Sequence, residues 1–240
     1  MLELGCRFHP AGVYYLQPSF RAEPMDARHL SQFFHAEAEI AGTVTDTMAL
    51  VERYVRRLAR AYLEAGDELP AIAGLLARPE VQAVADGQPF QAITAAEAAS
   101  LLGLPPRSRL SAEDERKLLA QFQGGPLWLT DHPAEQVPFY QARAPYDAGL
   151  TLTADLLMGI GETVGAGQRH PSAADTAAAL SEQGVEQADY DWYLALKDEA
   201  PLQTAGFGLG IERFLLWLTG HDDIRDLQLL PRPYGRRWVP

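Results

Sequence analysis

Polar side chains follow two extended segments near the amino terminus, at spacings that place them together. In SFRAE, Arg21 and Glu23 are two residues apart, and in FFHAEAEI the same alternation relates His35, Glu37 and Glu39. Because side chains alternate across a strand, pairing of the two segments gathers an arginine, a histidine and three carboxylates on one face. This pattern is typical of a solvated sheet face. It also suits a charged ligand, although metal ligands at alternate positions of one strand diverge.

The loop between these segments, PMDARHLSQ, carries two candidate cations. Arg28 and His29 lie at the edge of the predicted polar face. An arginine presents a planar fork of donors that matches phosphate oxygens. The loop is therefore either a cover over an anionic ligand or ordinary protein surface.

The segment AGFGLGIERFLLWLTG is a second candidate for anion binding. Gly206, Gly208 and Gly210 remove side chains from one strand face, so a flat group can lie against the backbone. Arg213 follows in the first turn of a predicted helix, where backbone donors and the helix dipole favour an anion. This geometry suits a nucleotide, but Ile211 stands where the dinucleotide fingerprint needs its last glycine, and no phosphate-loop motif is present. The alternative is close packing of helix on strand through glycine.

A further glycine-rich piece, GIGETVGAGQRH, contains Glu162 and Arg169 among few other charges. A carboxylate in this setting can hold Mg²⁺ between phosphates, and the arginine can receive a carboxylate or an amide. An ordinary hairpin with a surface glutamate has the same sequence pattern.

The periodicity of the sequence predicts the elements that hold these residues. Residues 13–41 predict two strands joined by a loop. From Asp46 the period becomes helical, with Thr45 or Asp46 as the cap and Gly66 as the stop. The apolar face of this helix consists of Val51, Tyr54, Val55, Leu58 and Tyr62.

The rest of the chain is predicted to be helical first and then mixed. Residues 67–120 form helical segments broken at Pro79, at Gly87 and at Pro105 with its neighbouring proline, and they contain little that resembles chemistry. Strands return after residue 125, in PLWLTD, LTLTADLL and ETV, before the glycine-rich strand and its helix. This order predicts an α+β fold built on an antiparallel sheet flanked by helices.

The composition narrows the class of protein. The 240 residues carry 20 Lys plus Arg against 32 Asp plus Glu, and the formal net charge of −12 argues against a general nucleic-acid coat. The single cysteine, Cys6, excludes an internal disulfide. The amino terminus lacks an export signal, and no apolar run is long enough to cross a membrane. We therefore predict a cytoplasmic protein without a membrane partner.

Taken in order, these segments resemble the catalytic core of class II aminoacyl-tRNA synthetases, and most closely the asparaginyl enzymes of the aspartyl-like subgroup. PSFRAEPMDARHLSQFFHAEAEI is similar to the family's second signature motif and AGFGLGIERFLLWLTGHDDIRDLQLLPR to its third. SAEDERKLLAQFQGGPLWLTDHP, PFYQAR, ADLLMGIGETVGAGQRH and ADYDWYLALK resemble connecting segments. The resemblance implies one catalytic domain, 1–240, with a helical insertion, 46–120, between the two motifs.

The resemblance also implies a site for ATP, Mg²⁺ and a small amino acid. Arg21 is expected to bind the α-phosphate and to stabilise charge there while an aminoacyl adenylate forms. Glu23 is expected to receive the adenine amino group, and the adenine is expected to stack between Phe33 and Arg213, which also reaches the γ-phosphate. Arg28 and His29 are expected to bind the β- and γ-phosphates, and Gly208 and Gly210 are expected to leave bare backbone under the nucleotide. Glu162 is expected to bind Mg²⁺. In the amino-acid pocket, Glu37 is expected to contact the substrate ammonium or side-chain amide, and Arg169 the substrate side-chain carbonyl or carboxylate.

Three departures from the family pattern concern the partners. The chain starts after the positions of the family's anticodon-binding barrel and of its first signature motif at the dimer interface. Without the barrel, tRNA is not expected as a partner, and without that motif a homodimer is expected through a different face. In addition, Gly167 stands where the family has a serine, which removes one expected Mg²⁺ ligand.

These observations lead to one leading hypothesis and two alternatives. The leading hypothesis is ATP-dependent activation of an aspartate-like or asparagine-like amino acid and its transfer to an acceptor other than tRNA, such as ammonia or a small amine. The first alternative is a non-catalytic relative that binds a nucleotide or an amino acid as a regulator. The second is tRNA aminoacylation without contact to the anticodon.

Overall fold

A seven-stranded sheet forms the centre of the molecule, in a computed structural model that describes residues 1–9, 11–68 and 78–235. Its strands are β1 (Val13–Phe20), β2 (Gln32–Ala41), β3 (Gln91–Thr94), β4 (Leu127–Thr130), β7 (Thr153–Met158), β8 (Gly161–Gln168) and β9 (Thr204–Gly210), while β5 (Arg143–Ala144) and β6 (Asp147–Thr151) form a separate ribbon. The strand order is β1-β2-β9-β8-β7-β4-β3, and all neighbours are antiparallel except β3 and β4. The predicted α+β fold on an antiparallel sheet is therefore confirmed, with one parallel pair at an edge.

Helices pack against both faces of the sheet, on one side through the core that contains Val51 and on the other through the cluster of Leu118, Leu127 and Leu157. In the described part of the chain they are α1 (Leu2–Cys6), α2 (Val44–Glu68), α3 (Pro79–Ala85), α4 (Ala95–Leu101), α5 (Ala112–Gln121), α6 (Ala173–Glu182), α7 (Asp191–Glu199) and α8 (Ile211–Thr219). Val51, Val55 and Ala59 of α2 form one buried core with strand residues such as Leu156 and Leu209. Because strand side chains alternate, the residues between these apolar positions face the other side of the sheet.

The long helix α2 begins earlier and ends later than predicted. Thr43 is its cap, because the Thr43 hydroxyl accepts from the backbone N–H of Asp46 at 3.2 Å and the Asp46 carboxylate accepts from the Thr43 N–H at 2.9 Å. Asp46 therefore completes a capping box instead of starting the helix. The prediction that Gly66 stops the helix is wrong, since α2 continues to Glu68. The apolar face of α2 packs against the sheet, and the free energy of this packing outweighs the roughly 1 kcal/mol by which one glycine destabilises a helix.

The segment predicted to be helical and without chemistry, 67–120, is only partly so. Pro79 begins α3 instead of breaking a helix, because its missing N–H has no partner to lose in a first turn. The segment also contributes β3, which pairs parallel to β4. Residues 69–77 lie outside the described residues, and the helical insertion stays a prediction there.

The first strand of the sheet, β1, is shorter than predicted. β1 ends at Phe20, so Arg21 and Glu23 lie beyond the strand and do not share a face by strand alternation. The chain turns instead: the Asp26 carboxylate accepts the backbone N–H groups of Arg28 and His29 at 2.7 and 2.8 Å. This local turn positions the loop cations against the end of the sheet.

Two predictions about partners concern the surface of the protein. No described helix has the length and apolarity that a bilayer crossing requires. On β1, at the edge of the sheet, Tyr14, Leu16 and Phe20 are exposed on the face away from Glu37 and its neighbours. The homodimer and the cytoplasmic location stay predictions.

Candidate active site

One face of the sheet combines a row of polar side chains with a patch of bare backbone. On β2, His35, Glu37 and Glu39 lie opposite Gly210, Gly208 and Gly206 of β9 in the strand register. The next strand continues the patch, since Gly165 and Gly167 of β8 pair with Gly208 and Gly206. The alternation predicted in both segments therefore places the polar row and the glycine row on the same face.

One cavity on this face, called the nucleotide cavity after the ligand that the family resemblance implies, is lined by every residue predicted to bind ATP or its metal. These residues are Arg21, Glu23, Arg28, His29, Phe33, Glu162, Gly208, Gly210 and Arg213. Segments from opposite ends of the chain thus supply one site. The lining also includes His35, Arg109, Thr163, Gly165 and Glu212, for which the sequence predicted no role in nucleotide binding.

Two arginines frame this cavity. The Arg21 guanidinium lies 5.4 Å from the centroid of the Phe33 ring and 3.7 Å from the Glu23 carboxylate, and more than half of its side chain is exposed. Arg213, in the first turn of α8, donates to the Glu162 carbonyl oxygen at 2.6 Å. Both guanidinium groups therefore line the same cavity, where Arg21 is positioned by the Phe33 ring and Arg213 by a backbone carbonyl group.

The loop cations are paired with carboxylates. Arg28 donates to Glu115 at 2.7 Å, and the same carboxylate accepts the backbone N–H of Glu162 at 3.2 Å. His29 contacts Asp26 at 3.0 Å. Glu115 belongs to α5, in the segment predicted to lack chemistry, and it joins that helix to the site. The sequence holds no local signal for this role, because it depends on how α5 packs against β8.

Two carboxylates stand above Gly165. A Cβ atom built there would lie 3.2 Å from Glu162 Oε1 and 3.6 Å from Asp155 Oδ1. Desolvation raises the pKa of Asp155 well above its usual value, and the charges of Glu162 and Glu115 add to this effect. The described residues contain no group of three or more metal-ligating side chains, but two carboxylates with phosphate oxygens form a donor set that suits Mg²⁺.

Asp155 is a site residue that the sequence did not predict, although a charged residue inside the apolar run LTLTADLL is a usable signal. His132 holds this carboxylate: its Nε2 lies 3.3 Å from Asp155 Oδ2 and its Nδ1 lies 3.0 Å from the Thr153 hydroxyl. Burial lowers the pKa of His132 to about 4. A neutral ring therefore orients the carboxylate through one nitrogen and accepts from Thr153 through the other.

The space beside Gly167 is occupied by another side chain. The three atoms nearest to a Cβ built at Gly167 all belong to Gln141, with Cδ at 2.7 Å, and none belongs to Asp155 or Glu162. The side chain of Gln141 occupies this space and accepts a hydrogen bond from Arg169 at 3.1 Å. The glycine at this position therefore leaves room for Gln141 beside Arg169, and the loss of an Mg²⁺ ligand stays a prediction.

The second cavity, next to the first along β2, contains the predicted substrate residues. Its lining includes Tyr15, Glu37, Glu39, Tyr140 and Arg169. Arg169 donates to both oxygens of Glu39 at 3.1 and 2.9 Å. Burial acts to lower the pKa of Arg169, but the Glu39 carboxylate outweighs burial and raises it. Glu37 is separate from this pair and accepts from the Tyr15 hydroxyl.

A buried ion pair supports the second cavity from below. The Lys197 ammonium, fully buried in α7, lies 3.0 Å from Glu3 of α1, and Tyr193 donates to the same carboxylate. Burial lowers the pKa of Lys197, and the charge of Glu3 opposes the change. The pair ties the first residues of the chain to its last third, so the pocket is assembled from both.

Alanine substitutions at two glycines of β9 are expected to have different effects, one on stability and the other on nucleotide binding. A Cβ built at Gly206 would overlap the Glu39 carboxylate and lie 2.5 Å from the Ala38 carbonyl oxygen, whereas at Gly210 the nearest atom is 3.8 Å away. We expect Gly206→Ala to lower Tm by roughly 3–10 °C through overpacking. We expect Gly210→Ala to leave Tm unchanged and to raise the KM for ATP about tenfold or more, because its methyl group narrows the nucleotide cavity.

Thermal unfolding and the ATP dependence of ATP–pyrophosphate exchange, the reaction that the family resemblance implies, separate these two effects. The two variants are matched controls for each other, since each adds one methyl group to the same strand face. Equal KM values for ATP in wild type and Gly210→Ala would contradict the assignment of Gly210 to the nucleotide cavity.

The comparisons agree with this geometry. Residues 10–233 match the family model described as tRNA synthetases class II (D, K and N), and the chain belongs to this family. An asparagine–tRNA ligase of Malacoplasma penetrans is 32% identical over 245 residues, which cover 93% of this chain and 53% of that protein. The corresponding ligase of Clostridium novyi is 34% identical over 241 residues, covering 93% and 51%.

Solved structures show the same fold. The asparaginyl-tRNA synthetase of Pyrococcus horikoshii, in complex with asparaginyl-adenylate, matches with a TM-score of 0.89 at 31% identity over 99% of this chain and 56% of that chain. The Entamoeba histolytica enzyme, also with asparaginyl-adenylate, matches with a TM-score of 0.86 at 27% identity over 98% and 55%. The chain spans about half the length of the relatives it matches.

Proposed function

We propose that this protein uses ATP to activate asparagine, or an amino acid with a similar side chain, as its aminoacyl adenylate. The observation that carries the proposal is the convergence of Arg21 and Arg213, from opposite ends of the chain, on one cavity beside a patch of bare backbone. A second cavity with Arg169 and Glu37 adjoins it along β2. The asparaginyl-adenylate in two similar structures has the same two parts, a nucleotide and an amino acid.

In this proposal the protein positions reactants and supplies no nucleophile of its own. The substrate carboxylate attacks the α-phosphorus of ATP, and pyrophosphate leaves. Arg21 stabilises the charge that develops on the α-phosphate, and adenine lies between Phe33 and Arg213. Asp155 and Glu162 would hold Mg²⁺, which neutralises phosphate charge when bound.

The charges in the second cavity favour a neutral substrate side chain. Both oxygens of Glu39 already accept hydrogen bonds from Arg169, so the charge of this guanidinium is compensated. Among the described residues that line this cavity, Arg169 has the only cationic side chain, so an additional carboxylate would lie beside the negative charges of Glu37 and Glu39. The side-chain amide of asparagine brings no such charge, while Glu37 remains available to the substrate ammonium.

The acceptor of the activated amino acid has two candidates. We propose a small amine such as ammonia, which is supported by the net charge of −12, since an acidic protein repels a polyanionic acceptor. The second candidate is tRNA, which is supported by the names of the relatives from Malacoplasma penetrans and Clostridium novyi. The remaining alternative is a regulator that binds ATP and the amino acid without chemistry.

ATP–pyrophosphate exchange with a panel of amino acids tests the activation step. We expect exchange that depends on asparagine and on Mg²⁺, with aspartate a weaker substrate. Total tRNA and ammonium chloride, each added to the pre-formed adenylate, then distinguish the two acceptors. No exchange with any amino acid, from protein that shows a cooperative thermal transition, contradicts activation. Joint binding of ATP and asparagine by calorimetry in that case supports the regulator.

A further inference from the structure

His35 occupies the boundary between the two cavities. It follows Phe33 and precedes Glu37 on the same face of β2, so the strand leads from the expected adenine platform to the amino-acid residues. His35 lines the nucleotide cavity and Glu37 lines the second cavity. If the two cavities bind AMP and the amino acid as in the proposed function, the bond that joins them would lie at this boundary, and His35 would lie beside the reacting carbonyl.

The contacts of His35 set its tautomer. Nδ1 lies 3.1 Å from Glu37 Oε1 and 3.0 Å from the Ser19 hydroxyl. Burial acts to raise the pKa of Glu37, but hydrogen bonds from His35 and Tyr15 outweigh it and hold the pKa below its usual value. Glu37 is therefore ionised near neutral pH and can only accept. A carboxylate that accepts from Nδ1 keeps the proton there and leaves Nε2 with a free lone pair.

The second ring nitrogen is available to a ligand. Among the described residues, Nε2 of His35 has no hydrogen-bond partner. This atom is not buried, so solvent or a ligand can reach it. About a quarter of the side chain is exposed, at 23%. The ring also packs edge-on against Phe33, with centroids 4.8 Å apart, so this contact and the hydrogen bonds at Nδ1 together restrain its orientation.

We propose that His35 is the general base of the transfer step that follows activation. Nε2 removes a proton from the attacking amine or hydroxyl group as that group bonds to the adenylate carbonyl carbon. The carbon–oxygen bond to phosphate then breaks, AMP leaves with the electron pair, and the imidazolium returns its proton to water. Glu37 stabilises the imidazolium while it exists, as the carboxylate does in other carboxylate–histidine pairs.

This proposal rests on the proposed function, and single-turnover kinetics separate the two. Wild type, His35→Gln and His35→Ala are each loaded with ATP and asparagine to form the adenylate. The loaded protein is then mixed with ammonium chloride or with total tRNA. We expect both variants to form the adenylate within about threefold of the wild-type rate and to transfer it about 10²-fold or more slowly. We also expect free imidazole to restore part of the transfer rate in His35→Ala.

The outcomes are decisive in each direction. Transfer by His35→Gln at the wild-type rate contradicts the role of His35 as the general base. The same conclusion follows if the adenylate formed by wild type reacts with neither acceptor. A purely structural role for His35 predicts that both variants lose activation and transfer together, with no response to imidazole. Absence of adenylate in wild type instead contradicts the proposed function. His221→Gln, the same change at an exposed histidine paired with Asp226, is the matched control and is expected to behave as wild type.

Discussion

Replacing Arg21 with glutamine is expected to lower kcat for ATP–pyrophosphate exchange by roughly 10²–10³-fold, with a smaller effect on the KM for ATP. A fixed positive charge near the α-phosphate stabilises charge that develops only in the transition state, and removal of one such group typically has this effect. Glutamine removes the charge and is shorter than arginine, with two N–H donors instead of five. Steady-state exchange at saturating asparagine measures the change.

This substitution should not change the stability of the fold. Arg21 is 56% exposed, and its ion pair with Glu23 spans 3.7 Å, so the pair adds little stability. We expect an unchanged Tm. Arg57→Gln is the matched control, because Arg57 is 67% exposed on α2 and lies 3.6 Å from Glu64. Exchange by Arg21→Gln within threefold of wild type would remove Arg21 from the catalytic step.

The second large effect is expected at Glu39, where replacement by glutamine should redirect the substrate preference from asparagine toward aspartate. Glu39 is 2% exposed, and both of its oxygens accept from Arg169. Removal of its charge leaves the guanidinium free to pair with a substrate carboxylate. We expect the ratio of kcat/KM for asparagine over aspartate to fall by about 10²-fold, consistent with loss of one partner of a desolvated pair.

Stability supplies an independent readout of the same change. An uncompensated charge at Arg169 is expected to cost about 3–5 kcal/mol, because one partner of a buried pair has been removed. Aspartate should then raise the Tm of Glu39→Gln more than asparagine does. Glu182→Gln removes one partner of an exposed pair with Arg143 and should change neither stability nor preference. An unchanged preference in Glu39→Gln contradicts the charge argument.

The alternation of side chains along a strand explains why much of this site could be predicted from the sequence. On β2 and β9 the alternation of side chains decides which residues share a face, and a shift of one residue would bury the polar row in the apolar core. The three glycines of β9 and the polar residues of β2 can therefore each be assigned to one face of their own strand from the order of residues, whereas the pairing of β2 with β9 that brings them together is seen only in the structure. The same argument failed for Arg21 and Glu23, because β1 ends at Phe20 and strand alternation does not extend into a loop.

Residues from the middle of the chain could not be placed in this way. Glu115 reaches the site because α5 packs next to β8, and Arg109 lines the cavity from the segment just before that helix. The charged residues of this segment do not indicate which strand it packs against. Asp155 was visible as a charge in an apolar strand, but its partner Glu162 depends on the pairing of β7 with β8. The tautomer of His35 likewise depends on contacts with Ser19 of one strand and Glu37 of its own.

The sequence by itself determined the strand faces, the glycine patch, the first turn of α8 with Arg213, and the family resemblance, because each depends on residues close together in the chain or on motifs in a fixed order. Only the tertiary structure decided that Arg169 is compensated by Glu39, that Gln141 fills the space beside Gly167, and that Arg28 pairs with Glu115. These are contacts between segments distant in sequence. Their distances follow from how the whole core packs, and no local pattern records them.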